Sequence, residues 1–225
     1  MPGKNVIKLY VENGYYHIYN RGVEKRPIFV DKQDCAVYLN YLKEYLLPKD
    51  EQTLRNRLAD KTISYKEKEK IIKLLRLNNF SGEISLLAYC LMPNHFHFLV
   101  QQKSLNSIDK FMQSISTRYT MYFNRKYSRV GSLSQSVYRA VLVTTDEQLL
   151  HLTRYIHKQA LASQGETLQE IRPSSYLYYI TKGKTEWVHP EIIFTHFSQK
   201  NPTFSYENFV KQENDYSLIR KLILD

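Results

Sequence analysis

The chain has 225 residues, 43% hydrophobic and 24% charged, a composition typical of a globular protein and unlike that of a disordered one. No run of about eighteen or more apolar residues occurs, so no membrane partner is expected. Lys and Arg outnumber Asp and Glu by 32 to 22, and the resulting formal charge of +10 favours a polyanionic partner, most commonly nucleic acid.

The first third of the chain predicts a strand, a helix and a charged helical segment. Aromatic and β-branched residues at 15–20, followed by Arg21 and Gly22, predict the strand. Asp31 is a suitable N-cap for a helix over about 32–47, which Pro48 ends. Residues 49–79 are highly charged and have limited apolar faces, which predicts a helical hairpin inserted on the surface of the fold.

The middle of the chain predicts a hairpin followed by alternating helices and a strand. A dense apolar run at 84–91, typical of a central strand, is joined to a strand at 95–101 by the turn residues 92–94. Helical spacing of apolar residues predicts helices over about 107–126 and 146–163, on either side of a strand at 137–143. Beyond 166 the pattern is irregular, with a short helix predicted near 206–210.

The order strand, helix, strand, strand, helix, strand predicts an α+β fold of the ferredoxin-like or RRM-like βαββαβ type. Its antiparallel sheet carries helices on one face, and the other face is expected to be open, as in RNA-recognition modules. We expect one catalytic domain over 1–165, with the helical insertion at about 49–80. Residues 166–225 are expected to be a C-terminal extension of unknown role.

Basic residues dominate the segment from 101 to 143, where Asp109 is the only acidic residue. Aromatic residues interleave with these cations, a pattern that suits phosphate contacts and base stacking in single-stranded nucleic acid. The cations of the insertion are equally compatible with a solvated helix face. The predicted DNA-binding residues are Arg21, Lys110, Arg118, Arg125, Lys126, Arg129 and Arg139.

Two sequence patterns carry candidate chemistry. Side chains alternate along a strand, so His95 and His97 point the same way, away from Phe96, and two imidazoles on one face can share a divalent metal. Tyr155 and Gln159 lie one helical turn apart and therefore share a face. Neither pattern is specific alone, because histidine pairs are often structural and the chain has 19 tyrosines.

Residues 91–100 closely resemble the HUH motif of single-tyrosine transposases, a family that includes insertion-sequence transposases and REP-associated tyrosine transposases. Residues 16–22, 122–127 and 154–157 resemble further blocks of that family, in the same order, so that the resemblance covers about 15–163. This ordered set is far more specific than either pattern by itself.

The resemblance implies roles for four residues. His95, His97 and the amide oxygen of Gln159 would be ligands of Mg²⁺ or Mn²⁺, and Tyr155 would attack single-stranded DNA, often near a hairpin, to form a 5′-phosphotyrosine. Many REP-associated members have asparagine and proline where this chain has Gln159 and Ala160, so the amide is kept and the proline is lost. Some members of the family act as dimers in which the two subunits share their active sites, and others act as monomers. For this chain both a homodimer and a monomer are compatible with the resemblance.

Two alternatives remain beside the transposase reading. One is a non-catalytic DNA- or RNA-binding module of the same fold, a domesticated transposase. The other is an RNA endonuclease that uses a histidine as general base without a metal. The presence of all four site residues, His95, His97, Tyr155 and Gln159, favours the enzyme. His17 and His157 are expected to be structural.

Cysteine usage and the N-terminus predict a cytoplasmic location. Cys35 and Cys90 are far apart and form no CxxC pattern, which fits a reduced chain better than a disulfide framework. Residues 1–6 lack the apolar segment of a signal peptide.

Overall fold

Four antiparallel strands form the sheet in the computed structural model, which describes residues 8–161, 172–181, 183, 185–198, 200–212 and 216–223. They are β1 (Tyr15–Arg21), β2 (Ile84–Met92), β3 (His95–Gln102) and β4 (Arg139–Val143), in the spatial order β2-β3-β1-β4. All three pairings are antiparallel. This is the strand order of the predicted ferredoxin-like fold, which is confirmed.

The helices are α1 (Lys32–Leu46), α2 (Glu51–Ala59), α3 (Tyr65–Arg76), α4 (Ser107–Lys126), α5 (Asp146–Ala160), α6 (Tyr176–Thr181), α7 (Glu191–Phe194) and α8 (Tyr206–Lys211). α1 begins as predicted, because Asp31 and Asp34 form a capping box that satisfies the first free backbone N–H groups. α5 ends three residues before its predicted end, and β4 starts two residues after its predicted start. No described helix is long and apolar enough to cross a bilayer.

The insertion between α1 and β2 forms the two helices that its charge pattern predicts. α2 buries none of its side chains, and α3 buries only Ile71. Both therefore lie on the surface of the domain, where their cations remain solvated.

The face of the sheet covered by α1 and α4 carries the larger part of the core. Even-numbered residues of β1 and β3, such as Ile18, Phe96 and Phe98, point into this layer. They pack against helix residues such as Tyr38 and Phe111. The alternation predicted from the sequence decides which side chains enter this layer.

The opposite face is covered, so the expectation that it is open is wrong. The apolar stripe of α5, which includes Leu152 and Ile156, packs on Leu87, Cys90 and Leu99 of the sheet. Side chains of the C-terminal extension complete this second core layer. They include Tyr176, Tyr179, Tyr206, Val210, Ile219 and Leu222.

β2 is an edge strand, not the central strand that its apolar run predicts. The run is apolar because both faces of the sheet are covered, which makes an outer strand look like an inner one. The C-terminal extension also caps its free edge: Ser175 N–H donates to the carbonyl of Tyr89, and His189 N–H donates to the carbonyl of Leu86. A sheet edge that would otherwise invite intermolecular pairing is thereby closed.

Candidate active site

His95 and His97 lie on the covered face of β3, at the end of the hairpin. His97 is fully buried beside Tyr19 of β1, and His95 is half-buried beside Arg21. Their ring centroids are 4.9 Å apart with the planes nearly perpendicular. Phe96 points to the other layer, as the strand alternation predicts.

His97 is held by a second histidine that the sequence analysis treated as structural. Nε2 of His17 lies 3.0 Å from Nδ1 of His97, and Nδ1 of His17 lies 2.5 Å from the carbonyl oxygen of Leu222. Nε2 of His97 is buried and has no hydrogen-bond partner among the described residues. A buried imidazole nitrogen without a hydrogen-bond partner is an atom that a metal ion could bind.

His95 is oriented by the residue before it. Its Nδ1 lies 2.6 Å from Oδ1 of Asn94, whose amide nitrogen donates to the carbonyl of Lys25 at 3.2 Å. Burial, together with the nearby charges of Arg21 and Arg172, lowers the pKa of His95 to about 4. His95 is therefore neutral at physiological pH, the form that binds metals.

The turn that carries Asn94 is anchored by Gly22. The N–H of Gly22 donates to the carbonyl of Asn94 at 2.8 Å. A Cβ at this position would collide with the carbonyl oxygen of Arg26 and with the side chain of Ile28. The close approach of Gly22 to Arg26 and Ile28 therefore requires glycine.

α5 brings Tyr155 against the histidines of the same chain. The ring centroid of Tyr155 is 5.4 Å from that of His97, in an edge-on arrangement, and 6.3 Å from that of His17. On its other side Tyr155 meets Tyr216 at 5.6 Å. The tyrosine is only 6% exposed, because the covered face of the sheet surrounds it.

Gln159 lies one turn beyond Tyr155 on α5 and is half-buried. Its backbone carbonyl accepts from Arg172 at 2.9 Å, and the same guanidinium nitrogen reaches the sulfur of Met92, the strand partner of His95. Arg172 thus ties the end of α5 to the histidine hairpin. Within the described ranges, no three His, Cys, Asp or Glu side chains are arranged to hold a metal. A metal at the histidine pair would therefore need an oxygen ligand of another type, such as an amide.

A cationic cleft adjoins the histidines at the end of β1. It has a volume of about 880 Å³, and Tyr19, the strand neighbour of His97, forms part of its wall. Arg21 lines it and donates from Nε to Gln135 Oε1 at 3.4 Å. Its four cations are Arg21, Arg139, Arg220 and Lys221.

The structure brings together only two of the seven predicted DNA-binding residues, Arg21 and Arg139. Sequence reasoning missed Arg220 and Lys221, because the C-terminal extension shows no motif that would mark them. Lys110 and Arg125 are exposed on α4, which packs on the other face of the sheet.

The remaining predicted DNA-binding cations have protein partners. Lys126 forms ion pairs with Asp31 and Asp34, both at 2.7 Å. Arg118 pairs with Glu44 at 2.6 Å and stacks over Tyr41. The guanidinium of Arg129 lies 5.7 Å from the ring of Phe123.

His157 has the structural role that the sequence analysis predicts. It is fully buried, with Nδ1 at 2.6 Å from the hydroxyl of Tyr206 and Nε2 at 2.7 Å from Oγ of Ser175. These contacts join α5 to the C-terminal extension. Burial lowers the pKa of His157 to about 3, so the ring is neutral.

Comparison with known proteins gives one family match. Residues 53–159, slightly less than half of the chain, match the family model described as "Transposase IS200 like". The matched segment contains His95, His97, Tyr155 and Gln159, and it confirms the resemblance seen in the sequence. No curated protein matches the chain in sequence.

Two solved structures are similar in shape at low identity. One is a REP-associated tyrosine transposase bound to a REP hairpin, with 9% identity, a TM-score of 0.43, and coverage of 83% of this chain and 97% of that chain. The other is a candidate transposase from Deinococcus radiodurans R1, with 13% identity, a TM-score of 0.37, and coverage of 69% and 97%.

Proposed function

We propose that this chain, whose residues 53–159 match the IS200-like transposase family model, cuts and rejoins single-stranded DNA with Tyr155 as nucleophile and with a divalent metal. The observation that carries the proposal is the edge-on packing of Tyr155 against His97, at a centroid distance of 5.4 Å. Residues 58 positions apart meet here in one chain, beside a cleft lined by four cations.

The residues present fit a metal. His95 and His97 would bind it through Nε2, and the orphaned, buried Nε2 of His97 supports this assignment. Gln159 would add an amide oxygen from the turn of α5 that follows Tyr155. Nitrogen and oxygen ligands together suit Mg²⁺ or Mn²⁺, with Mn²⁺ the better match to imidazole. When bound, the metal offsets the negative charge of the phosphate under attack.

The chain's own groups account for the remainder of the reaction. The phenolic oxygen of Tyr155 forms a bond to phosphorus as the bond from phosphorus to O3′ breaks, so the strand on the 3′ side of the cut stays on the tyrosine through its 5′-phosphate. The phenol loses its proton and O3′ gains one, which leaves a free 3′-hydroxyl. One ester replaces another, so rejoining by the reverse attack needs no nucleotide cofactor. Arg21 and Arg172, which lie close enough to His95 to lower its pKa, supply positive charge for the phosphate oxygens.

Single-stranded DNA, with a hairpin nearby, is the proposed substrate. The cleft cations Arg21, Arg139, Arg220 and Lys221 would contact successive phosphates.

The test uses 3′-labelled single-stranded oligonucleotides of randomised sequence flanking a hairpin, incubated with the full chain and Mn²⁺. We expect a labelled covalent adduct that resists boiling in detergent and disappears with chelator. It should be absent in Tyr155→Phe and present in Tyr216→Phe, the matched control, because the ring of Tyr216 packs against Tyr155 and phenylalanine keeps that ring. An adduct that survives in Tyr155→Phe would place the nucleophile elsewhere. If the chain binds DNA but forms no adduct, the function is that of a non-catalytic DNA-binding module.

A further inference from the structure

Three groups from distant parts of the chain form a buried relay that ends at His97. The carbonyl of Leu222 contacts Nδ1 of His17, and Nε2 of His17 contacts Nδ1 of His97. Leu222 and His17 are 205 residues apart in sequence, and both histidines are 0% exposed. Leu222 lies in the C-terminal turn that follows the 3₁₀ helix Ser217–Ile219.

The direction of the hydrogen bonds follows from the first group of the relay. A carbonyl only accepts, so Nδ1 of His17 carries a hydrogen. In a neutral ring the other nitrogen then accepts, so Nδ1 of His97 must donate to Nε2 of His17. Nε2 of His97 is therefore left as a lone pair, and it is the same buried atom that has no partner among the described residues.

The relay requires His17 to be neutral, and its surroundings meet this requirement. The rings packed against it are those of Tyr19, His97 and Tyr155. None of these side chains is a carboxylate, whose negative charge would hold a second proton on His17.

The C-terminal turn is held firmly enough to act as the fixed end of the relay. Leu222 and Ile219 are buried in the apolar layer that contains Tyr155. Arg220 and Lys221, the residues just before Leu222, line the cationic cleft. The same turn thus reaches both the histidine pair and the cleft, although no motif marks it in the sequence.

We propose that His17 and the Leu222 carbonyl are positioning groups of the metal site, which hold His97 as the Nδ1–H tautomer with Nε2 ready to bind the metal. The inference rests on the proposed function only in taking His97 as a metal ligand. It adds a role for the C-terminal turn, since the turn supplies the acceptor that sets the tautomer.

The first test measures the tautomer directly. In the metal-free chain, ¹⁵N NMR of the histidine rings should show His97 protonated at Nδ1 and bare at Nε2. His17→Phe keeps a buried ring and removes the acceptor, so His97 should lose this preference. His17→Gln is the conservative variant: its amide oxygen can still accept from His97, and the preference should be kept.

The second test measures Mn²⁺ affinity without DNA, by the EPR signal of free Mn²⁺. His17→Phe should weaken binding by about 10- to 100-fold, the usual effect of removing the partner of a metal-ligating histidine. His17→Gln should retain most of the affinity. Thermal unfolding with chelator shows whether each variant is folded, so that lost affinity is not mistaken for lost structure.

The outcomes distinguish the failure of this inference from the failure of the proposed function. A wild-type His97 protonated at Nε2, or a folded His17→Phe with unchanged Mn²⁺ affinity, overturns the relay and leaves the role of Tyr155 standing. A wild-type chain that binds no Mn²⁺ overturns both. An intact relay with no DNA adduct overturns the proposed function alone.

Discussion

Replacing Lys126 by methionine should destabilise the fold, although a basic helix predicts a DNA contact at this position. Lys126 reaches across from α4 to the start of α1, where its ammonium meets the carboxylates of Asp31 and Asp34. Methionine keeps most of the aliphatic stem and removes the charge. The change therefore isolates the ion pair from the packing of the side chain.

The size of the effect follows from the environment of Asp34. Its carboxylate is 0% exposed and accepts from Lys126 at 2.7 Å, from the hydroxyls of Tyr122 and Tyr127 at 3.0 and 2.8 Å, and from the N–H of Val30 at 2.8 Å. Breaking a wholly buried pair costs about 3–5 kcal/mol. The side chain of Lys126 is 22% exposed and four neutral donors remain, the N–H of Asp31 among them, so we expect a loss of about 2 kcal/mol.

The assay is urea unfolding at pH 7.5, with Arg125→Met as the matched control. Arg125 is the preceding residue of α4, is exposed, and loses the same charge. Its replacement should change the free energy of unfolding by less than about 0.5 kcal/mol. Equal unfolding midpoints for the two variants would refute the structural role of Lys126. So would a folded, fully stable Lys126→Met that binds DNA less well than Arg125→Met.

Three further predictions concern stability, DNA binding and the source of the nucleophile. His157 has an ordinary pKa of 6.5 when unfolded and about 3 when folded, so between these values the unfolded chain binds the extra proton and stability falls as the pH falls. From pH 8 to pH 5 the wild type should lose about 2 kcal/mol more than His157→Gln in urea unfolding, and equal losses would contradict this. The affinity for single-stranded DNA falls as salt rises, and Arg139→Ala should make the slope of log affinity against log salt shallower by about 0.7. Lys66→Ala on the insertion should leave it unchanged, and the reverse ranking would place the DNA on the insertion. A mixture of Tyr155→Phe and His97→Ala chains should form no DNA adduct, because both groups lie in one chain, whereas recovered adduct would show that the tyrosine serves a second copy.

Local sequence patterns were sufficient to predict the helices that carry a long periodic stripe of apolar residues. α4 has the bounds that its apolar spacing predicts, because a 20-residue helix repeats the signal over several turns. α6 and α7 were not predicted: they have six and four residues, too few for a readable period. Helices this short are marginal alone and depend on tertiary packing, here of Tyr176, Tyr179 and Ile193 in the covered face.

The parts of the site that depend on a single strand or helix were predictable from the sequence. Alternation along β3 places His95 and His97 on one face, and the turn spacing of α5 groups Tyr155 with Gln159. The contact of His17 with His97 depends on the register of β1 against β3, in which His17 pairs with Leu99. A register is set by the whole hydrophobic pattern and not by two residues, so no local signal reveals that contact.

The elements that cover the second face of the sheet form the second core layer of the domain. They also keep the site histidines neutral. On an open face, water would solvate the imidazole of His97 and leave its pKa near the ordinary 6.5. Under α5 and the C-terminal turn the pKa of His97 falls well below that value, first because of burial, and the ring stays neutral. The helix that excludes the water also carries Tyr155 to His97. The cleft at the end of β1, where Tyr19 adjoins His97, is then the side from which we infer that a phosphate approaches.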